Sequence, residues 1–301
     1  MTSTSAGTIT DSTSHPDADR PGTTPVLVKA EWLAEHLHDP QLRVVEVDVN
    51  TAAYLDGHIE GSVLWNVYSD LKDPEYRTVD VAAITRLVGG SRIDPETTVV
   101  FYGYAPAMGL WFLKLLGHAD VRILDCSRQS WVASGRPWTD VVPSPGRGNY
   151  PVASLHEMIR AEEPTVRDAM HDPDRIIADV RTELEFVGER FWPSGGMDPA
   201  GRAGHIPSAV HLPIDNIYRP DGAFRSPAEL EQVFAALNPV TSGEVITYCT
   251  IGGRACTAWF VLSYLLGRRG VRVYDGSWAE WGRLPGAAVT TTHASTIPAS
   301  P

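Results

Sequence analysis

A short loop of the chain carries the residue types that covalent catalysis uses, a thiol beside flexible and cationic residues: Cys249, Thr250, Ile251, Gly252, Gly253 and Arg254. The β-branched and aromatic run before it, 245–248, predicts a buried strand, and the apolar run 255–266 predicts a helix that ends at Gly267. A loop between a strand end and a helix start aims backbone N–H groups and the helix dipole at one point. We therefore expect Cys249 to be a thiolate near neutral pH and to act as a nucleophile.

The other members of this loop are candidates for substrate binding. The guanidinium of Arg254 suits an oxyanion, because its planar donors match the geometry of paired oxygens. The residues expected to form the cradle around the sulfur are Thr250, Ile251, Gly252 and Gly253. A buried structural thiol is the alternative for Cys249, but such a thiol would need neither the paired glycines nor the arginine.

Composition and charge limit the partners that the chain can have. Its 301 residues carry a formal net charge of −12, which argues against nucleic acid and against anionic membrane surfaces. Three cysteines, an odd and low number, indicate a reducing, cytoplasmic location without a disulfide framework. No apolar run has the length of a membrane span, and residues 1–24 lack the basic start and apolar core of a signal peptide. No metal-ligand cluster or nucleotide-binding motif occurs, so we expect no metal and no cofactor.

Internal similarity indicates two copies of one α/β domain. Strands alternate with helices along the chain, which predicts mostly parallel sheets with helices on both faces. The Gly-His-Ile sequence at 57–59 recurs at 204–206, and Trp131 corresponds to Trp281. The predicted organisation is a disordered tail at 1–24, a first domain at 25–138, a linker at 139–151, a second domain at 152–287 and a tail at 288–301.

The two copies differ where the chemistry is expected. Gly103 stands in the first copy at the position of Cys249, so the first copy has no nucleophile there and is expected to be catalytically silent. The second copy has a longer segment between Asp179 and His205. We expect this insertion, which includes Arg190 and Arg202, to cover the site and to supply a cation.

These motifs resemble the tandem-domain rhodanese family, which includes thiosulfate and 3-mercaptopyruvate sulfurtransferases. The resemblance covers about residues 25–287 and rests on the Cys249 loop, on both Gly-His-Ile sequences and on the segment 274–282. It implies a silent first domain and a second domain that moves a sulfane sulfur from a small anionic donor, thiosulfate, to cyanide or a thiol through a persulfide on Cys249. It also implies a substrate-binding role for Arg202, with Arg190 and His205 as possible further site residues.

Several alternatives stay open from the sequence alone. The neutral Thr250 directly after the cysteine favours 3-mercaptopyruvate as the donor, because enzymes with that donor resemble this chain in having small neutral loops. A cysteine-dependent phosphatase is a more distant alternative, but those enzymes have five residues between cysteine and arginine, and this chain has four. A rhodanese-like binding module without catalysis is the third alternative. Cys256 is expected to pack in the core, with a redox partnership as its alternative role.

Overall fold

The computed structural model describes residues 25–151, 155–237 and 243–291. The strands are β1 (Leu27–Val28), β2 (Leu42–Asp48), β3 (His58–Ile59), β4 (Val63–Asn66), β5 (Thr98–Gly103), β6 (Val121–Leu124), β7 (Trp138–Thr139), β8 (Arg160–Ala161), β9 (Arg175–Asp179), β10 (Val210–His211), β11 (Glu244–Tyr248) and β12 (Val271–Tyr274). The helices are α1 (Ala30–His36), α2 (Thr51–Asp56), α3 (Val81–Gly90), α4 (Pro106–Leu115), α5 (Arg128–Ala133), α6 (Glu163–Ala169), α7 (Glu183–Phe186), α8 (Pro227–Val233), α9 (Gly253–Phe260) and α10 (Ser277–Trp281). The predicted tail at 1–24 lies outside the described residues.

The two copies form two parallel sheets with the same strand order. The first sheet runs β1-β6-β5-β2-β4, and the second runs β8-β12-β11-β9-β10 when it is taken in the matching direction. Every neighbouring pair within both sheets is parallel. This confirms the predicted fold class, two tandem α/β domains.

Both faces of the first sheet are buried, as its strand sequences require. Val45 and Phe101 point to one hydrophobic cluster, while their neighbours Val44 and Val100 point to another. Successive side chains of a strand alternate between faces, so a strand that is apolar throughout needs cover on each side. Helices supply that cover.

The core continues from one domain into the other. Helix α4 of the first domain packs against helix α9 of the second. One hydrophobic cluster therefore includes Leu110 and Trp111 from the first domain together with Trp259 and Phe260 from the second. This packing brings the loop before α4 and the loop before α9 to the same interface.

The second domain extends beyond residue 287. His205 and Thr290 exchange two backbone hydrogen bonds, of 2.9 and 3.0 Å. The same pairing occurs in the first domain, where β3 lies antiparallel to β7. The described part of the predicted tail at 288–301 thus belongs structurally to the second domain, and its remainder, from residue 292, is outside the described residues.

The two equivalent loops at the domain interface differ in length. Only residues 104–105 separate β5 from α4, whereas residues 249–252 separate β11 from α9. Strand β11 and helix α9 agree with the predicted strand and helix, although α9 continues as a π-helical turn, Val261–Leu265. The longer loop leaves room for a cradle in the second domain that the first domain does not form.

Candidate active site

The first residues of helix α10 hydrogen-bond the backbone of the Cys249 loop. Ser277 accepts the backbone N–H of Cys249 through its hydroxyl oxygen at 3.1 Å. The N–H groups of Trp278 and Ala279 donate to the carbonyl oxygens of Cys249 and Thr250, both at 2.9 Å. Because these bonds fix the backbone on both sides of the thiol, the position of the sulfur is set by the fold.

Gly252 supplies the hydrogen bond to the sulfur. Its backbone N–H donates to Sγ of Cys249 at 3.2 Å. The residue has φ of +96°, and a Cβ at this position would lie 3.0 Å from the carbonyl oxygen of Asp275. Glycine is therefore needed here for both its backbone conformation and its close packing. Helix α9 begins at the next residue, so the positive end of its dipole lies beside the sulfur.

Arg254 is paired with a buried carboxylate. Its Nη1 and Nη2 atoms donate to Oε2 and Oε1 of Glu185 at 2.9 and 2.7 Å, and Nη2 also donates to the hydroxyl of Thr250 at 2.8 Å. That hydroxyl donates in turn to Oε1 of Glu185 at 2.6 Å. Among the described residues, these contacts use three of the five guanidinium N–H groups.

Glu185 is fully buried and ionised in this network. Burial alone would raise the pKa of its carboxyl group, but hydrogen bonds and charge from Arg254, with hydroxyl donors from Thr250 and Thr182, lower that pKa to about 2. The pKa of Arg254 is raised, because the pull of Glu185 outweighs the desolvation of the guanidinium. The pair keeps opposite charges at neutral pH.

A cleft of about 290 Å³ opens over Cys249 between the two domains. The second domain contributes the Cys249 loop and the segment 192–194, and the first domain contributes Tyr68 and Tyr104, whose side chains are well exposed. Residues 192–194 belong to the insertion of the second domain, and they line the cleft on the side where a cover was expected. Ile251, Gly253 and Arg254 also line the cleft.

The two arginines of the insertion do not line this cleft. Arg202 donates to backbone carbonyl oxygens that follow helix α10, including those of Ala287 at 2.6 Å and Leu284 at 2.7 Å. Arg190 donates to the carbonyl oxygen of Pro193 at 3.3 Å. The cation expected from the insertion is therefore absent from the described lining of the cleft. The insertion places Trp192 at the cleft, and its Arg202 holds the segment after α10 through hydrogen bonds to backbone carbonyl oxygens.

Three further residues discussed from the sequence are buried in the structure. His205 stacks on Phe186, and its Nδ1 lies 2.8 Å from the carbonyl oxygen of that residue. Burial lowers the pKa of His205, which fits a neutral ring within a hydrogen-bonded loop. Arg181 is fully buried in an ion pair with Asp179. Cys256 is also fully buried, and burial raises the pKa of its thiol well above the usual value.

Two charged residues that the fold brings to the loop, Glu185 and Lys72, were not predicted from the sequence. Glu185 is distant in sequence from Arg254, and its position three residues after Thr182 forms a capping box at the start of α7. Lys72 comes from the first domain, and its Nζ donates to the carbonyl oxygen of Asp275 at 2.7 Å. The capping-box pattern was visible in the sequence, but it indicated only a helix start. Nothing local marked Lys72.

The arrangement combines a thiol, a backbone donor to its sulfur, a partly free guanidinium and an open cleft. This suits a nucleophile that must carry an anionic sulfur group. In the described ranges, no group of three or more potential metal ligands occurs. No helix among the described residues is long and apolar enough to cross a membrane.

Comparison with known proteins gives the family. The model of the rhodanese-like domain matches the chain twice, at residues 29–134 and 163–284. The chain is 39% identical over 273 residues to the sulfur carrier protein TtuD of Thermus thermophilus, covering 88% of this chain and 96% of that protein. It is also 39% identical over 267 residues to the thiosulfate sulfurtransferase of Corynebacterium glutamicum, covering 86% of this chain and 88% of that protein.

Solved structures show the same fold. An anaerobic ergothioneine biosynthesis enzyme from Chlorobium limicola, solved with trimethyl histidine, matches with a TM-score of 0.76 at 24% identity. The match covers 88% of this chain and 70% of the enzyme. The two matched segments agree with the two sheets described above. The chain belongs to the rhodanese family of sulfurtransferases and carries two rhodanese-like domains in tandem.

Proposed function

We propose that the protein is a thiosulfate sulfurtransferase that works through a persulfide on Cys249. The observation that carries the proposal is the hydrogen bond from the N–H of Gly252 to Sγ of Cys249, at the base of a cleft between the domains. A sulfur held by a backbone donor beside a helix N-terminus is stabilised as an anion. The name of the Corynebacterium glutamicum relative supports thiosulfate as the donor.

The proposed reaction has two displacement steps. The thiolate of Cys249 attacks the outer sulfur of thiosulfate, the sulfur–sulfur bond of the donor breaks, and sulfite leaves with the bonding electrons. Cyanide or a thiolate then attacks the terminal sulfur of the persulfide and releases Cys249 as a thiolate. No net oxidation and no cofactor are required, because the two steps exchange one sulfur–sulfur bond for another bond to sulfur.

The loop residues have defined roles in this proposal. The N–H of Gly252 stabilises the negative sulfur, while Ile251 and Gly253 line the cleft beside it. Two N–H groups of Arg254 remain to bind the oxygens of the donor, since Glu185 and Thr250 occupy the others. Thr250 therefore acts by orienting Arg254. Arg190, Arg202 and His205 are not assigned to the donor.

The alternative donor is 3-mercaptopyruvate, which the neutral Thr250 after the cysteine favours. Thiocyanate formation from cyanide should be measured with both donors on one preparation. We expect the larger kcat/KM with thiosulfate. A larger value with 3-mercaptopyruvate would replace thiosulfate as the donor while leaving the persulfide mechanism intact.

A phosphatase activity is the rival that the cysteine–arginine loop raises. We expect no hydrolysis of p-nitrophenyl phosphate, because only four residues separate Cys249 from Arg254. Turnover that disappears in Cys249→Ser would contradict the sulfurtransferase proposal. The three free cysteines, Cys126, Cys249 and Cys256, fit the cytoplasmic location that we also propose.

A further inference from the structure

Lys72 places a buried ammonium group of the first domain against the active loop of the second. It lies in the segment between β4 and α3, and its side chain has no exposed surface. Its Nζ lies 3.3 Å from the point that a Cβ on Gly252 would occupy. The N–H of the same glycine donates to Sγ of Cys249. The ammonium group and the sulfur therefore both lie close to one residue.

The carboxylate of Asp275 is held mainly by other donors. Nε of Arg160 donates to Oδ1 at 3.0 Å, and the N–H of Thr78 donates to Oδ2 at 2.9 Å. Lys72 Nζ is 3.9 Å from Oδ2, beyond hydrogen-bond distance, and bonds the carbonyl oxygen of Asp275 instead. An ammonium group has three donors, and the described structure assigns one of them.

Among the described residues, Lys72 has one ion pair, with Oδ2 of Asp275 at 3.9 Å, and no carboxylate oxygen within hydrogen-bond distance. The titratable and charged groups around Cys249 and Lys72 are Arg254, Glu185, Tyr104, Asp275, Glu280, Arg160 and Cys256. Glu185 balances Arg254, and Asp275 bonds directly to Arg160. Burial lowers the pKa of Lys72, whereas Asp275 and the two cysteine sulfurs favour its charged form. An anionic sulfur on Cys249 therefore offers this ammonium group a further partner beside Asp275.

The repeat of the fold provides an internal comparison. Lys72 pairs with Thr78 in an isolated bridge of the first domain, and Tyr218 pairs with Phe224 in the same way in the second. The N–H of Thr78 donates to Asp275, as the N–H of Phe224 donates to Asp125 at 2.8 Å. Tyr218 thus occupies the position equivalent to Lys72.

The two equivalent positions face different loops. Tyr218 lines a cavity with Gly103, which stands where the nucleophile is missing. Lys72 lies at the loop that carries Cys249. The cation is found beside the cysteine, and an uncharged side chain is found beside the glycine.

We propose that Lys72 is a positioning residue of the active site, whose ammonium group stabilises the anionic sulfur of Cys249 as thiolate and as persulfide. The persulfide part rests on the proposed function, whereas the thiolate part does not. The first domain then contributes a charge to the reaction. It has no nucleophile of its own, but it is not without a role in the chemistry.

The test is the pH dependence of Cys249 alkylation by iodoacetamide in the full-length chain. Lys72→Gln keeps a donor for the carbonyl oxygen of Asp275 and removes the charge. We expect the midpoint of alkylation to move up by about one pH unit, since an opposite charge at close range favours the anion by that order. We expect Lys72→Arg to restore the wild-type midpoint. The Cys249→Ser variant gives the background from the other cysteines.

Lys29→Gln is the matched control, because Lys29 forms an ion pair with Asp125, the counterpart of Asp275 in the first domain. It should leave the midpoint unchanged. Thermal unfolding of each variant shows whether the substitution destabilises the fold. A purely structural effect would lower the alkylation rate equally at every pH and leave its midpoint unchanged. An unchanged midpoint in a folded Lys72→Gln variant would overturn the proposal. Alkylation needs no sulfur donor, so this result is independent of whether thiosulfate is a substrate.

Discussion

Glu185 connects the Cys249 loop to the rest of the second domain at the scale of single residues. It receives both terminal nitrogens of Arg254, the hydroxyl of Thr250, and the hydroxyl and backbone N–H of Thr182. A buried carboxylate is stable only when such donors replace its lost water. The guanidinium that faces the cleft is therefore held in place before any ligand arrives.

Replacing Glu185 by Gln should make protein stability less dependent on acid pH. The pKa of Glu185 is about 2 in the fold against a usual value of 4.5. This difference stabilises the folded state by about 3 kcal/mol at pH values above 4.5. A lowered pKa stabilises the fold at higher pH, and this contribution disappears as pH falls from about 4.5 to about 2. Urea unfolding at several pH values should show the wild-type advantage over Glu185→Gln shrinking in this range.

The control for this experiment is Glu183→Gln in the same helix, where the side chain is exposed. It should change the free energy of unfolding by less than about 0.5 kcal/mol. An advantage of wild type over Glu185→Gln that stays constant from neutral to acid pH would contradict the account of a charged, buried pair.

The active loop is defined at the scale of elements by the end of β11 and the start of α9. These boundaries could be predicted because they depend on neighbouring residues, a β-branched run, paired glycines and a helix stop. Glu185 and Lys72 could not be predicted in the same way. Their partners lie 65 and 203 residues away, and only the tertiary packing brings them to the loop. Arg202 shows the reverse case, because the family resemblance gave it a substrate-binding role, whereas in the structure it donates to carbonyl oxygens after α10 and does not line the cleft.

Gly252→Ala should lower sulfur transfer by about 100-fold, the usual effect of removing one preorganised donor. A Cβ there would lie 3.0 Å from the carbonyl oxygen of Asp275, and φ of +96° is strained for alanine, so we expect the loop to shift and the N–H to move away from the sulfur. Gly267→Ala is the matched control, because Gly267 also has positive φ but has nothing within 4 Å of its Cβ position. It should cost about 1 kcal/mol of stability and keep activity. Equal activity of both variants in the cyanide assay would contradict the role of Gly252.

The two domains behave as one unit at the scale of the whole molecule. Their cores join through α4 and α9, and Thr78 and Lys72 of the first domain bond Asp275 of the second. The repeat in the sequence predicted two domains, but it did not predict this shared core. Which face of each copy is covered by the other depends on contacts between distant segments.

Thermal unfolding should therefore occur in a single transition. Domains that share a continuous apolar core unfold together, because either one alone would expose that surface to water. Calorimetry should give one peak, and the fluorescence and circular dichroism transitions should coincide with it. Two separate peaks would show that the interface adds little stability.

Mass spectrometry of the protein after exposure to thiosulfate tests the persulfide mechanism. We expect that one sulfur atom is added to the peptide that contains Cys249 and that cyanide removes it. Peptides with Cys126 and Cys256 should stay unmodified, and Cys249→Ser should gain no sulfur. Two results would contradict the persulfide mechanism. One is thiocyanate formation without any added sulfur on Cys249, and the other is activity that remains in Cys249→Ser.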